Sequence, residues 1–180
     1  MAKSVLAQYY QDEVIPRLQK ERGYANDMQV PHLTKVVLNT GVGTRHDREA
    51  LQEASDTLAI ITGQKPIVKR AKRSISNFNL RAGTPVGAKV TLRRDMMWNF
   101  LHRLINITLP RVRDFRGVPQ NSFDGAGNYN MGLSDQSVFT EINLDKVKNT
   151  IGMNITIVTS ASTDEEAKDM LRMLGMPFSQ

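Results

Sequence analysis

The stretch Val86-Gly87-Ala88-Lys89-Val90-Thr91-Leu92-Arg93 alternates apolar and polar side chains along its length. Successive side chains of a β-strand point to opposite faces of a sheet, so Val86, Ala88, Val90 and Leu92 are predicted to meet a core. Gly87, Lys89, Thr91 and Arg93 then line the other face, which offers cations and a hydroxyl. Immediately upstream, Lys72 to Pro85 is rich in Ser, Asn, Gly and basic residues. It is too long for a tight turn and too polar for a core, and it reads as a long projecting basic loop over residues 72–85. Ile67 to Ala71 reads as the strand on the loop's other side.

Farther upstream, Leu33 to Asn39 is a short extended run that ends in Thr40-Gly41-Val42-Gly43. A helix is predicted from about Asp47, with Leu51, Ala54, Leu58 and Ile61 on one face and Gly63 placed to stop it. An amino-terminal helix is predicted from a Ser4 cap to Gly23, its apolar positions being Val5, Leu6, Tyr9, Tyr10, Val14 and Leu18, with Pro16 bending it. Downstream, Asp95 is expected to cap a helix carrying Met97, Leu101, Leu104, Ile105 and Thr108 until Pro110 ends it. Extended segments near Tyr129–Leu133 and Met153–Thr159 follow the Gly- and Asn-rich stretch Asn121 to Gly132. Thr163 and Glu166 form a capping box for a last helix with Ala167, Met170, Leu171 and Leu174 on its apolar face, ended by Gly175 and Pro177. Strands and helices interleave without a regular βαβ rhythm, which predicts an α+β fold with helices over one face of a sheet.

At 180 residues and 40% hydrophobic, the chain can bury a core as a single domain over residues 1–180. It has no cysteine, which excludes disulfides and thiolate chemistry and fits a reducing cytoplasm. Its first residues turn polar too soon for a signal sequence, and no stretch approaches the roughly 20 apolar residues of a membrane span. A soluble, cytoplasmic protein without membrane contact is expected.

The formal charge of +6 is unevenly spread. Between Thr57 and Arg94 there is no Asp or Glu in thirty-eight residues, while Lys65, Lys69, Arg70, Lys72, Arg73, Arg81, Lys89, Arg93 and Arg94 contribute +9. A concentrated positive field attracts a polyanion and raises its rate of encounter. Lone charge runs are often only solvated surface, but here acids are wholly absent, Phe78 stands among polar residues, and the loop opens into a strand presenting Lys89, Thr91 and Arg93 together. Nucleic acid is therefore the expected partner. RNA is favoured over DNA because no helix-turn-helix or zinc finger is evident, whereas a polar sheet face and a cationic loop suit irregular RNA surfaces.

Other chemistries find less support. Asn39-Thr40-Gly41-Val42-Gly43 lies between a strand and a helix, yet the third Gly of a dinucleotide fingerprint is replaced by His46 and no Gly-Lys-Ser/Thr ending is present. His32, His46 and His102 have no metal-ligand spacing. In Asp124-Gly125-Ala126-Gly127-Asn128, Ala126 occupies a ligand position of a calcium loop and the terminal Glu is missing, so a turn is the better reading. No Ser sits in a G-x-S-x-G elbow. No catalytic residue, metal or cofactor is expected.

Five stretches, taken together and in order, resemble one family: Val36-Val37-Leu38-Asn39-Thr40-Gly41-Val42-Gly43, Thr62-Gly63-Gln64-Lys65-Pro66, Arg81-Ala82-Gly83-Thr84-Pro85-Val86-Gly87, Val90-Thr91-Leu92-Arg93 and Phe123-Asp124-Gly125-Ala126-Gly127-Asn128-Tyr129. They resemble the universal large-subunit ribosomal protein family L5, in its compact bacterial form, over essentially the whole chain. The resemblance implies a non-enzymatic protein of the ribosome's central protuberance with an antiparallel sheet and helices packed on one side. It implies 5S rRNA binding through Asn39, Thr40, Gly41, Gly43, Gln64, Lys65, Lys89, Thr91, Arg93 and Arg94, and attachment of 5S rRNA to the large-subunit rRNA. The loop, with Lys72, Arg73, Ser74, Ser76, Asn77, Phe78 and Arg81, would reach peptidyl-site tRNA. Neighbouring central-protuberance proteins and a small-subunit head protein are the implied protein partners. Asn, Gln and Thr give hydrogen bonds of fixed geometry, suited to a permanent RNA, whereas cations on a mobile loop suit a tRNA that comes and goes.

Overall fold

The alternation of residues 86–93 is realised as the second strand of a five-stranded sheet. The structure, a computed structural model, describes residues 4–43, 48–143 and 149–179. Its strands are β1 (Leu33–Gly41), β2 (Ile67–Arg70), β3 (Pro85–Leu92), β4 (Tyr129–Leu133) and β5 (Met153–Thr159), in the order β2-β3-β1-β5-β4. The sheet is antiparallel, and with its helices makes the expected α+β fold. Ala88, Val90 and Leu92 are buried while Lys89 and Thr91 are half-exposed; β4 and β5 alternate in the same way. The helices are α1 (Val5–Tyr9), α2 (Ile15–Arg22), α3 (Arg48–Thr62), α4 (Arg94–Arg103) and α5 (Asp164–Met173).

The chain divides into two compact units, one of residues 1–36, 92–131 and 156–180 and the other of residues 37–91 and 132–155. In the first, α1 and α2 are joined by a π-helical turn, Tyr10–Val14. Pro16 follows directly, and its missing N–H cannot bond the carbonyl four residues back, which accounts for the loosened turn. Helix α1 packs against α4, with the Tyr10 and Trp98 rings 5.3 Å apart. The Tyr10 hydroxyl donates to the Pro31 carbonyl at 2.7 Å, and burial pushes its pKa up to about 12. Arg22 pairs with Asp169 of α5, which raises the guanidinium's pKa. The Asp124 stretch is a self-satisfied turn. Its carboxylate accepts from Ala126 N and Asn128 N, both at 3.0 Å, and from Asn128 Nδ2 at 2.8 Å, while Asp164 accepts from Gly125 N and Gly127 N.

The second unit is built on α3, whose buried Ala50, Ala54, Leu58 and Ile61 recur at helical spacing. Ala50 and Ala54 pack with Val42 and Ile151, and Leu51 joins them from the edge. Asp47, the expected start of this helix, and His46 lie outside the described residues.

Several terminal details differ from the sequence reading. Ser4 makes no side-chain capping bond. Asp95 lies in the first turn of α4 while the extended Arg93 holds the cap position, so the carboxylate meets the helix dipole from inside the helix. Pro110 does not end the helical path: a π-helical turn, Leu104–Thr108, leads into a 3-10 turn, Leu109–Arg111, whose start tolerates a residue without N–H. At α5, Thr163 accepts from Glu166 N at 3.4 Å, but the Glu166 carboxylate reaches Ser162 N and not the cap residue itself.

Candidate RNA interface

Residues 71–84, which include most of the projecting loop expected over 72–85, are drawn together by main-chain hydrogen bonds. Ala71 N donates to Thr84 O at 2.8 Å and Gly83 N to Ala71 O at 2.9 Å, which continues the β2–β3 pairing outward. Ile75 and Leu80 then exchange both main-chain hydrogen bonds, at 2.8 and 3.1 Å, around the short 3-10 turn Ser76–Phe78. Asn79 closes that turn in the left-handed region with φ 50°, a conformation Asn adopts more readily than most residues. Ser74 Oγ accepts from Ala82 N, and Arg70 donates to Gly83 O. The segment is thus a hydrogen-bonded hairpin, and Pro85, counted in the loop from sequence, is the first residue of β3. Lys72, Arg73, Ser74, Ser76, Asn77, Phe78 and Arg81 are all exposed on it, Phe78 at 66%.

At its base, β2 and β3 set Ile67 opposite Lys89 and Lys69 opposite Gly87. Directly opposite residues share a face, so Lys69 joins Lys89 and Thr91 on the half-exposed side. Lys69 was visible in the basic run, but only the register shows that it belongs with them. Strand β1 lies on the other side of β3. Val42 N and Gly43 N both donate to Val86 O, at 3.0 and 3.2 Å, and a Cβ placed on Gly87 would lie 2.4 Å from Thr40 O. Glycine is required at 87 for this close approach of the two main chains.

Asn39 faces outward, half-exposed, whereas Thr40 is only 2% exposed and its hydroxyl donates to Gly152 O at 2.8 Å. The Thr40 side chain is therefore committed inside, and only Gly41 and Gly43 around it are exposed. Gln64 and Lys65 stand exposed on the turn after α3. That turn is fixed from beneath: Thr62 Oγ1 donates to Leu58 O at 2.6 Å and accepts from Gln64 N at 3.3 Å, and Pro66 is buried. The side chains of Asn39, Gln64, Lys65, Lys89 and Thr91 have no hydrogen-bond or ion-pair partner among the described residues. Nearly all the expected site residues fall in the second unit. Arg93 and Arg94 fall in the first, both exposed, with Arg94 at φ 51°.

What the arrangement offers is a set of uncommitted amide, hydroxyl and ammonium groups on rigid strands and a pinned turn, next to an exposed cationic hairpin. No group of three or more His, Asp or Glu that could hold a metal occurs among the described residues. None of the helices described is long and apolar enough to cross a membrane. Fold and surface together define an α+β protein with a polar, cationic face.

Two family models match. Residues 26–81 match that of ribosomal protein L5, and residues 85–178 match that of the C-terminus of the same ribosomal family. Similar proteins include the large ribosomal subunit protein uL5 of Caldanaerobacter subterraneus, 55% identical over 98% of this chain and 99% of the relative. The uL5 proteins of Thermus thermophilus (55% identical, 96% of each chain) and Halothermothrix orenii (52% identical, 98% of this chain and 99% of the relative) are comparable. The chain belongs to the ribosomal protein L5 family. It is a structural constituent of the large ribosomal subunit, which in bacteria is cytoplasmic, and it is not an enzyme.

Proposed function

We propose that the chain holds 5S rRNA on the face formed by Asn39, Gly41, Gly43, Gln64, Lys65, Lys89 and Thr91, with Thr40 shaping it through its main chain and Arg93 and Arg94 adding charge. So held, 5S rRNA is attached to the large-subunit rRNA in the central protuberance beside neighbouring proteins. The hairpin over residues 72–84 contacts peptidyl-site tRNA, and another surface meets a small-subunit head protein. The observation that carries the reading is that the side chains of Asn39, Gln64, Lys65, Lys89 and Thr91 are held on strands and a hydrogen-bonded turn yet have no partner among the described residues. Such groups bind without first breaking internal bonds, and their geometry suits the shape and edges of an irregular RNA. The hairpin fits a different task, because exposed Lys72, Arg73 and Arg81 contact phosphates regardless of sequence.

The test is equilibrium binding of full-length protein to 5S rRNA over a range of salt. Each of Asn39→Ala, Gln64→Ala and Thr91→Ala should cost about 1 kcal/mol, or about fivefold in affinity, for a lost hydrogen bond. Glu165→Ala, on the exposed side of α5, should leave affinity unchanged. Replacing Lys72, Arg73 and Arg81 together by Ser should spare 5S rRNA binding and weaken retention of peptidyl-site tRNA. Equal losses from Glu165→Ala and Thr91→Ala, or loss of 5S rRNA by the hairpin variant, would refute this division of the surface.

A further inference from the structure

Strand β2 stands at one end of the sheet order with β3 as its single neighbour, so its other edge is open. All four of its residues are exposed, the apolar Ile67 and Val68 at 65% and 41%. Antiparallel pairing turns the main-chain groups of successive residues alternately toward one side and the other. Ala71 uses both of its groups on the β3 side, donating to Thr84 O and accepting from Gly83 N, so the alternation aims those of Arg70 and Val68 outward. The register agrees, because Val86 O is taken from the far side by Val42 N and Gly43 N, which leaves Gly87 to face Lys69. An edge with free donors and acceptors invites another strand, and proteins ordinarily blunt it with cations, a bulge or brevity. Strand β2 has all three: Lys69 and Arg70, a register irregularity between them, and a length of four residues. These devices work against a second copy of the chain, which would bring the same charges alongside. An acidic strand they attract, since no Asp or Glu lies between Thr57 and Arg94 and neither cation has an ion-pair partner among the described residues.

We propose that the open edge of β2 docks an extended acidic segment of a partner protein, which joins the five-stranded sheet as a further strand. Main-chain bonds at Val68 and Arg70 supply affinity, and the side chains supply selectivity. Successive β2 residues lie on opposite faces, so each face offers one apolar residue and one cation: Ile67 with Lys69 on one, Val68 with Arg70 on the other. In the antiparallel sense of the rest of the sheet, the complementary strand reads two carboxylates followed by two β-branched residues. Its carboxylates then oppose Arg70 and Lys69, and its apolar side chains oppose Val68 and Ile67. RNA is the weaker occupant of this edge. Phosphates would match the cations but would meet the outward carbonyl oxygens and leave Ile67 and Val68 uncovered. The inference does not draw on the proposed RNA face and stands whether or not that face holds 5S rRNA.

The test is binding of the RNA-free full chain to a fluorescent peptide with the core sequence Glu-Glu-Val-Val, read by anisotropy. N-methylation of the peptide edge that would meet β2 should weaken binding about fivefold or more through a lost main-chain hydrogen bond, whereas methylation of its opposite edge should change it by less than about twofold. A Lys-Lys-Val-Val peptide should not bind. Val68→Pro, which removes one outward N–H where an edge strand tolerates proline, should reproduce the effect of the first methylation. Arg70→Glu should weaken binding about tenfold by setting like charges opposite each other. The methylated pair needs no protein variant and stays decisive even if Val68→Pro unfolds the chain. Equal binding of the two methylated peptides would reduce the edge to a charged surface and overturn the proposal. So would absence of binding by the acidic peptide, equal binding of the lysine peptide, or a dimer of the chain that forms without peptide and is lost in Val68→Pro.

Discussion

Replacing Gly87 by Ala tests the closest packing in the interface, and its sign is decisive. A glycine inside a strand is ordinarily less favourable than alanine by about 0.5–1 kcal/mol, because it loses more backbone freedom on folding. Without a steric obstacle, Gly87→Ala would therefore stabilise the protein. In the structure the new methyl carbon would lie 2.4 Å from the Thr40 carbonyl oxygen and 3.4 Å from Gly41 Cα. The obstacle is main chain on the neighbouring strand and cannot swing aside as a side chain would. Strands β1 and β3 must shift apart, which overpacking results put at about 1–3 kcal/mol. For a chain of this size, that corresponds to a fall in melting temperature of roughly 2–12 °C. Gly41→Ala is the matched control: it has no neighbour within 4 Å at the added carbon, and its φ is not positive, so it should be neutral or slightly stabilising. Urea denaturation of both variants provides the comparison, with unchanged m-values confirming that the folded state is retained. A Gly87→Ala protein as stable as the parent, or more so, would refute the strand contact and the placing of Thr40 and Gly41 beside β3.

Two further outcomes concern titration. Tyr10 and Tyr129 are buried and hydrogen-bonded to Pro31 O and Pro119 O, and burial pushes both pKa values up to about 12. The unfolded phenols ionise near pH 10, so this stabilisation is whole below pH 10 and is lost as pH rises toward 12. Phenolate absorbance should therefore show these two rings ionising together with unfolding; free titration near pH 10 in a folded protein would contradict their burial. Asp124 shifts the other way, held below its ordinary range first by Asn128's side chain and then by the main-chain N–H groups of Ala126 and Asn128. Its contribution is present above about pH 4 and fades as pH falls through the lowered value. Asp124→Asn should be less stable at neutral pH, with the gap closing in acid; a gap of constant size from neutral to acid pH would argue against the turn.

Much of this fold was legible because each strand carries its own alternation. Lys89 and Thr91 between buried Ala88, Val90 and Leu92 announce β3 and its two faces, and Met153 to Thr159 does the same for β5. The same alternation, carried from Val36 and Leu38 to Thr40, would have turned the Thr40 side chain inward; reading Asn39-Thr40-Gly41 as one motif concealed that. The hairpin was illegible because its closure depends on Ile75 and Leu80, an isolated apolar pair in a polar stretch, bonded through main chain and not through pattern. At α4, Arg93 leaves β3 extended and so takes the cap position ahead of Asp95.

Lysine-reactive labelling of the full chain with and without 5S rRNA reads out which surface the RNA covers. Lys65 and Lys89 stand on the proposed face, Lys72 on the hairpin, and Lys20 on exposed α2. Protection of Lys65 and Lys89 by 5S rRNA, with Lys72 and Lys20 as reactive as before, is expected if the face around Asn39, Gln64 and Thr91 holds the RNA. Protection of Lys20 while Lys65 and Lys89 remain reactive would contradict it.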